Sequence, residues 1–363
     1  MKKILYIFIL LPMLFASCDQ TVFVSRSHDI NAEVTEMPEA SELSALYCNI
    51  NDATAPSLQE LETYLQEKAE KVGVVMFVAP TTIDGDSFAS WLTTFAAANG
   101  WVSTYTDQSG SPVLTMAALV KSELIAPTYT TDINGNQVEQ AKKITEYAVV
   151  KGTTLTHNAL HFVVNDIHFV VAEFATGTNA IPDDWEEQIK AIADKNIPQT
   201  TLIFNPDYNG LRRSEAEWIV ANTIDNERFI TERKWVLAIK SNIWSNVDLR
   251  KYGKEFLRSD FYDNVTDEYL ASTSKYIDNS EYLEDDDLYF GANTVMLRNG
   301  LADAVADHNS AFVPSSVDET RHNFVYLSNK ALNMMQSVLV DSSAASQLGV
   351  QHYPIMITLK SED

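Results

Sequence analysis

Val350-Gln351-His352-Tyr353-Pro354, continuing into Ile355-Met356-Ile357-Thr358-Leu359, closes the chain. Ile355, Ile357 and Leu359 alternate with Met356 and Thr358, the period of a half-buried strand, so Pro354 to Leu359 reads as a strand with a histidine at its mouth. Gln351 sets an amide directly before that histidine.

Working outward, strand-like runs recur at Ser44–Ile50, Gly73–Ala79, Thr115–Val120, Ala159–Val164, Ile167–Ala172, Thr200–Phe204, Trp235–Ile239 and Asn323–Leu327. Helical periodicity lies between them. Over Ser57–Lys71 the residues Leu58, Leu61, Leu65 and Ala69 form a stripe, and Ser57 and Glu60 are spaced as a capping box. Similar patterns cover Ser87–Ala98, Asp183–Lys195 and Ser214–Asp225. This order suits an α+β fold, a four-layer αββα sandwich of two stacked mixed β-sheets flanked by helices. With 45% hydrophobic residues and no linker-like segment or internal repeat, residues 42–363 read as one large domain.

The front of the chain speaks to location. Lys2 and Lys3 give a basic start, Ile4–Phe15 an apolar run, and Ala16-Ser17 place small residues just before Cys18. Residues 1–17 therefore read as a lipoprotein signal peptide, too short to span a bilayer, with Cys18 the acceptor of a diacylglyceryl anchor. Residues 18–41 read as a tether, which predicts a bacterial envelope protein held at the outer membrane by lipid, its periplasmic or surface face left open. Only Cys48 then remains, which leaves no disulfide framework and no cysteine metal cluster. Loss of Lys2 and Lys3, the only charges in residues 1–17, takes the formal charge from -24 to -26. Such a surface repels polyanions, so a nucleic-acid partner is not expected. The acidic run Glu281–Asp287 lacks the ligand spacing and turn glycine of a calcium loop and reads as solvated. His157 and His161 fall in a strand-like segment rather than on a helix, a poor metal pair. Trp91, Trp185 and Trp218, on helical segments, read as core residues.

Several strand ends together carry a resemblance. The closing stretch resembles the "Ser-Asp-His-x-Pro" strand of the endonuclease/exonuclease/phosphatase superfamily, with Gln351 where that family keeps an aspartate. Leu46-Tyr47-Cys48-Asn49-Ile50 resembles its opening strand, which ends in an Asn. Val74–Pro80 resembles the strand ending in the metal-binding Glu, with Ala79 standing there. Ile167–Glu173 resembles the strand that delivers a phosphate-contacting His, with Glu173 in its place. Trp235–Asn242 resembles the "Gly-Asp-Phe-Asn" strand, with Lys240 for Asp and Asn242 kept. Arg321–Ser328 resembles the "Arg-Ile-Asp-Tyr-Ile" strand, with Asn323 for Asp. A second register stays open, because Leu202–Asn209 also ends in an Asp-x-Asn and would keep Asp207 as a metal ligand.

The resemblance covers Leu43 to Leu359 and resembles most a lipoprotein member of the kind found in Bacteroidetes-type bacteria. It implies a cleft lined by Asn49, Ala79, Glu173, Lys240, Asn242, Asn323, Gln351 and His352, with His352 the one candidate catalytic residue. It also implies a Mg or Mn ion held by Glu and Asp, a water activated through Asp/His pairs, and Asn and His donors on the scissile phosphate. Ala79 offers no ligand, and Lys240 brings an ammonium to the place of a dication, a repulsion of several kcal/mol in a partly dry cleft. Asn323 and Gln351 form hydrogen bonds but take up no proton. A Lys240–Glu173 ion pair in the old metal position is the expected replacement. Three readings follow. The first is a non-catalytic binding or assembly module without cofactor, its ligand a small molecule, glycan or protein. The second is an active Mg- or Mn-dependent phosphodiesterase or phosphatase on small or lipid phosphoesters, using Asp207. The third is a glycan-binding lipoprotein of an uptake system.

Overall fold

The computed structural model describes residues 42–51, 56–80, 82–106, 116–133, 135–149, 159–174, 206–224, 233–241, 245, 247–248, 251, 291–317 and 319–360. The chain divides into two units, Met1–Glu39 and Ala40–Asp363, and all of these residues belong to the second. In chain order its elements are β1 (Glu42–Asn49), α1 (Leu58–Lys68), β2 (Val74–Val78), α2 (Gly85–Asn99), β3 (Trp101–Tyr105), β4 (Met116–Lys121), β5 (Tyr129–Thr131), β6 (Gln137–Glu139) and β7 (Thr145–Val149). There follow β8 (Ala159–Val164), β9 (Ile167–Glu173), α3 (Pro206–Thr223), β10 (Lys234–Lys240), α4 (Gly291–Arg298), β11 (Leu301–Asp303) and α5 (Ala304–His308). The last are β12 (Asn323–Ser328), α6 (Asn329–Met334), β13 (Met335–Val340), α7 (Ala344–Leu348) and β14 (Ile355–Lys360).

Local chemistry sets the helix ends. The Ser57 hydroxyl accepts from the Glu60 N–H at 3.2 Å while the Ser57 N–H donates to the Glu60 carboxylate at 2.9 Å, the capping box expected for α1. Asp84 caps α2 by accepting from the Ser87 N–H at 3.0 Å. The apolar stripes then choose the buried sides: Leu61, Tyr64 and Leu65 on α1, and Phe88, Leu92, Phe95 and Ala96 on α2.

Two six-stranded sheets form, in the orders β13-β14-β1-β2-β4-β3 and β11-β12-β10-β9-β8-β7. Each carries one parallel pair, β1 with β2 and β9 with β10, among antiparallel neighbours. Side-chain alternation splits each strand between two environments. One set, including Ala45, Tyr47, Met76, Val78, Phe169, Val171, Val236, Ala238, Val325 and Leu327, packs between the sheets. The other set packs outward, against α1, α2 and α7 on the first sheet and against α3 and α4 on the second. These are the four layers expected.

Every strand expected within the described residues is present, most with bounds shifted by a residue or two. The third helix begins at Pro206 rather than near Ser214, and the Thr200–Phe204, Asp183–Lys195 and Glu281–Asp287 segments lie outside the described residues, as do His157 and Trp185. The reading missed all four edge strands, β3, β13, β7 and β11, of which β3 and β13 are only partly buried, and the β5–β6 hairpin, whose strand residues are all exposed and so show no apolar period. Trp91 and Trp218 are half-buried and pack against their core clusters.

Candidate functional site

Four polar side chains end the inward-facing rows of four strands. Asn49 follows Ala45 and Tyr47 on β1, Glu173 follows Phe169 and Val171 on β9, Lys240 follows Val236 and Ala238 on β10, and Asn323 precedes Val325 and Leu327 on β12. The ladders align three of them in one row, Lys240 lying beside Glu173 on one side and Asn323 on the other. All four are buried, with exposures of 2% for Asn49, 5% for Glu173, 6% for Lys240 and 0% for Asn323.

The Lys240 ammonium lies 2.8 Å from Glu173 Oε1 and donates to the Asn51 carbonyl at 3.1 Å. The expected pair is therefore in place. The Asn51 side-chain amide donates to both Glu173 oxygens, at 3.0 and 3.1 Å, so the carboxylate joins two sheets and two donor types. Amide orientations follow from the network. The Asn51 N–H donates to Asn49 Oδ1 at 3.1 Å, which turns Asn49 Nδ2 toward Asn323 Oδ1 at 2.7 Å. Tyr47 also donates to Asn323 Oδ1, at 3.4 Å; burial, and then the charge of Glu173, push its phenol well up, so it stays a neutral donor. With both protein donors on its oxygen, Asn323 Nδ2 points elsewhere and finds no acceptor among protein atoms.

The remaining site residues divide. Ala79 is not in the cleft: it packs with Cys48, Ile50 and Phe77 in the core beneath the helices, while Val78 is the residue in register with Asn49 and facing the other sheet. The one-residue slip reverses the face because strand side chains alternate. Val78, like Ala79, has no ligating oxygen. Gln351 is also misplaced by that reading: it is exposed, its carbonyl accepting from the Val317 N–H at 2.9 Å, whereas the cluster is buried. His352 is half-buried and forms a β-bridge with Ser316. Lys240 ends the strand between β9 and β12, and Asp207 lies in the first turn of α3, its side chain outside the described residues together with all of Asn242. Cys18 is likewise outside them. Asn51 and Tyr47 went unnoticed in the sequence; both continue the inward row of Asn49 at i±2, the signal that would have found them.

A second buried cluster braces this end of β12. Arg321 donates to both Asp303 oxygens, at 2.7 and 2.5 Å, and to Asp248, and its guanidinium lies 5.0 Å from the Phe324 ring centre. Asp303 also caps α5 through the Val305 and Ala306 N–H groups. Burial pushes the Asp248 carboxyl up to about 6, Arg321 opposing the shift and Asp303 adding to it.

On the outer face of the second sheet, His161 Nε2 and His168 Nδ1 are 3.0 Å apart, and Trp235 lies against both rings. Arg233 can only donate, so His168 Nε2 accepts from it at 3.2 Å and the His168 proton sits on Nδ1, directed at His161. Burial, then His168, lower the His161 pKa to about 4. A histidine depressed on folding binds its proton more readily in the unfolded chain, so the stability it supports is present above pH 6.5 and lost as pH falls toward 4. His161→Gln should remove that loss, so that on going from pH 6.5 to 4 its urea midpoint gains relative to that of the wild type.

A divalent ion does not suit the inter-sheet cluster. Mg and Mn seek several hard oxygen ligands with net negative charge. Glu173 is the one carboxylate of the cluster and is already neutralised by Lys240, and the unsatisfied buried atom, Asn323 Nδ2, is a donor. Among the described residues no group of three His, Cys, Asp or Glu side chains can hold a metal ion.

Comparison with known proteins supports the class of fold. No protein-family model matches the sequence, and no curated protein matches it either. Solved structures do. An AP endonuclease from Archaeoglobus fulgidus superposes with a TM-score of 0.52 at 10% identity, covering 87% of this chain and 99% of that one. The 3′ phosphatase NExo from Neisseria, bound to a product DNA hairpin, gives 0.51 at 11% identity over 87% and 98% of the two chains. The 3′-5′ exonuclease NExo from Neisseria meningitidis gives 0.50 at 12% over 88% and 100%. The chain thus has the fold of the endonuclease/exonuclease/phosphatase superfamily.

Proposed function

We propose that this chain is a non-catalytic binding or assembly module built on the endonuclease/exonuclease/phosphatase fold and held at a bacterial envelope by lipid on Cys18. The observation that carries the reading is the buried Lys240 ammonium bonded to Glu173 between Asn51 and Asn323, where hydrolysis on this fold would call for a dication. Its charge is matched within the protein, so the cluster has no electrostatic demand for a metal. The DNA-directed activities in the names of the similar structures suit this chain poorly, because a formal charge of -24 opposes a polyanion.

The test is hydrolysis of bis(p-nitrophenyl) phosphate with Mg or Mn by protein beginning after Cys18, beside His352→Ala. We expect no metal-dependent turnover in either protein. Turnover that needs metal and vanishes in the variant would overturn the reading and favour the phosphodiesterase.

A further inference from the structure

The strand ends distinguish the two ends of the sandwich. Asn49, Glu173, Lys240 and Asn323 mark one. At the other, β1 begins: Gly73 N–H donates to the Ser44 carbonyl at 2.8 Å and Lys121 N–H to the Gly73 carbonyl at 2.9 Å, so β4 finishes where β1 starts. A Cβ on Gly73 would stand 2.7 Å from Leu124 Cδ1 and 2.8 Å from Leu43 Cδ1, which places the chain after β4 directly against the first turns of β1. The return segment behaves alike. Ile144 enters the inter-sheet core and β7 starts opposite Val163, next to the β8–β9 turn and away from Glu173. Both roots of the β5–β6 hairpin therefore lie at the end where the chain enters the domain.

That hairpin buries neither face, yet it holds three of the six large hydrophobic side chains exposed among the described residues: Tyr129 at 55%, Ile133 at 101% and Val138 at 43%. A loose tip could fold Ile133 away from water, but this tip is braced. Asp132 N–H donates to the Asn136 carbonyl at 2.9 Å, the Asp132 carboxylate accepts from the Asn136 backbone and side chain at 2.8 and 3.1 Å, and Gly135 takes the positive φ of 85° that closes the turn. Two-stranded hairpins with both faces in water are marginal alone. Its charge is also unlike the rest of the chain: over residues 121–143, Lys121, Lys142 and Lys143 balance Glu123, Asp132 and Glu139, in a protein of net charge -24.

We infer that the β5–β6 hairpin is a membrane contact, its Ile133 tip and Tyr129 entering the headgroup layer of the bilayer that carries the lipid anchor. The inference rests on anchorage through Cys18. Residues 18–41 lead into β1 at Glu42, so the end of the domain tied to the lipid is the end that carries the hairpin. A local charge balance removes the repulsion that an acidic protein meets at anionic headgroups, and tyrosine and isoleucine are suited to the interface. The proposed contact is surface insertion of the hairpin tip beside the anchor; no helix among the described residues is long and apolar enough to cross a membrane. One diacylglyceryl anchor and one apolar tip together fix an orientation that the anchor alone leaves free, with the Lys240 cluster facing away from the membrane.

The experiment uses the full lipidated chain in phosphatidylethanolamine/phosphatidylglycerol vesicles, with an environment-sensitive NBD dye on Ile133→Cys or, as the far-end control, on Val317→Cys, which is 49% exposed beside the Gln351 segment. Cys48 is buried, so the introduced thiol takes the dye. We expect a blue shift and quenching by bilayer-embedded brominated lipid at position 133, and neither at 317. Protein that fails to sediment with vesicles removes the anchor and this inference together. Protein that sediments while both probes remain water-like overturns the hairpin contact alone. A blue shift at 133 that grows with protein density but resists the lipid quencher assigns the hairpin to self-association and overturns the membrane contact as well.

Discussion

Arg321→Leu should destabilise the domain by about 3–5 kcal/mol, the usual penalty for removing one partner of a buried charge cluster. The guanidinium is 2% exposed and holds Asp303 and Asp248, themselves 3% and 1% exposed. Leucine fills part of the volume but leaves two carboxylates facing each other without a cation, and one of them caps α5. The loss should register as a lower urea midpoint with the slope of the transition unchanged. A stability within about 0.5 kcal/mol of wild type, the range of ordinary surface changes, would mean that the cluster does not carry this end of β12.

Asp248→Asn should behave in the opposite way at pH 8. Two carboxylates on one guanidinium leave a surplus negative charge, and a carboxyl whose pKa rises from 3.8 to about 6 on folding holds its proton more tightly in the native state. Its contribution to stability is therefore fully present below pH 3.8 and is lost as pH rises through 6. His161 gives the reverse slope over much of the same window, so the wild-type profile is flatter than either variant's. Removing Asp248 should leave a profile that rises with pH, and removing His161 one that falls.

What could be read from the sequence follows from how each signal arises. Central strands such as Ile167–Glu173 and Trp235–Lys240 are buried on both faces, and a continuous apolar run announces that whatever its neighbours do. The α1 start was legible because Ser57 and Glu60 satisfy each other within one turn. Edge strands such as β3 and β13 are only partly buried and the exposed hairpin buries neither face, so neither writes a clear period. The Lys240–Glu173 pair was expected only because the resemblance set the ends of β9 and β10 in one cleft. Ala79 was misread since the closing residue of β2 cannot be assigned to a face without the register against β1, which pairs Val78 with Asn49. Asp303 could not be found at all: its partner Arg321 is 18 residues away in sequence, and nothing local joins them.

Lys240→Met and Glu173→Leu should each cost about 3–5 kcal/mol, and the double substitution should cost much less than their sum. Each single change takes the opposite charge of the pair from a buried group: the carboxylate retains the Asn51 amide as a donor, or the ammonium retains the Asn51 carbonyl as an acceptor. The double change leaves neither, and methionine and leucine suit an inter-sheet layer already built of valine, alanine and phenylalanine. Additive losses would show that the two side chains act separately and that the ion pair is not the unit filling this site. The same substitutions examine what the ammonium replaces. Lys240→Ala leaves the Glu173 carboxylate and the Asn51 carbonyl as oxygen acceptors without their cation, and opens the volume that the lysine occupied. If the ammonium serves as a tethered cation, Mn should raise the melting temperature of Lys240→Ala and leave that of the wild type unchanged, because a ligand stabilises only the folded state that binds it. Equal Mn responses in the two proteins would separate the ion pair from any cation site and leave Lys240 a structural residue of the inter-sheet core.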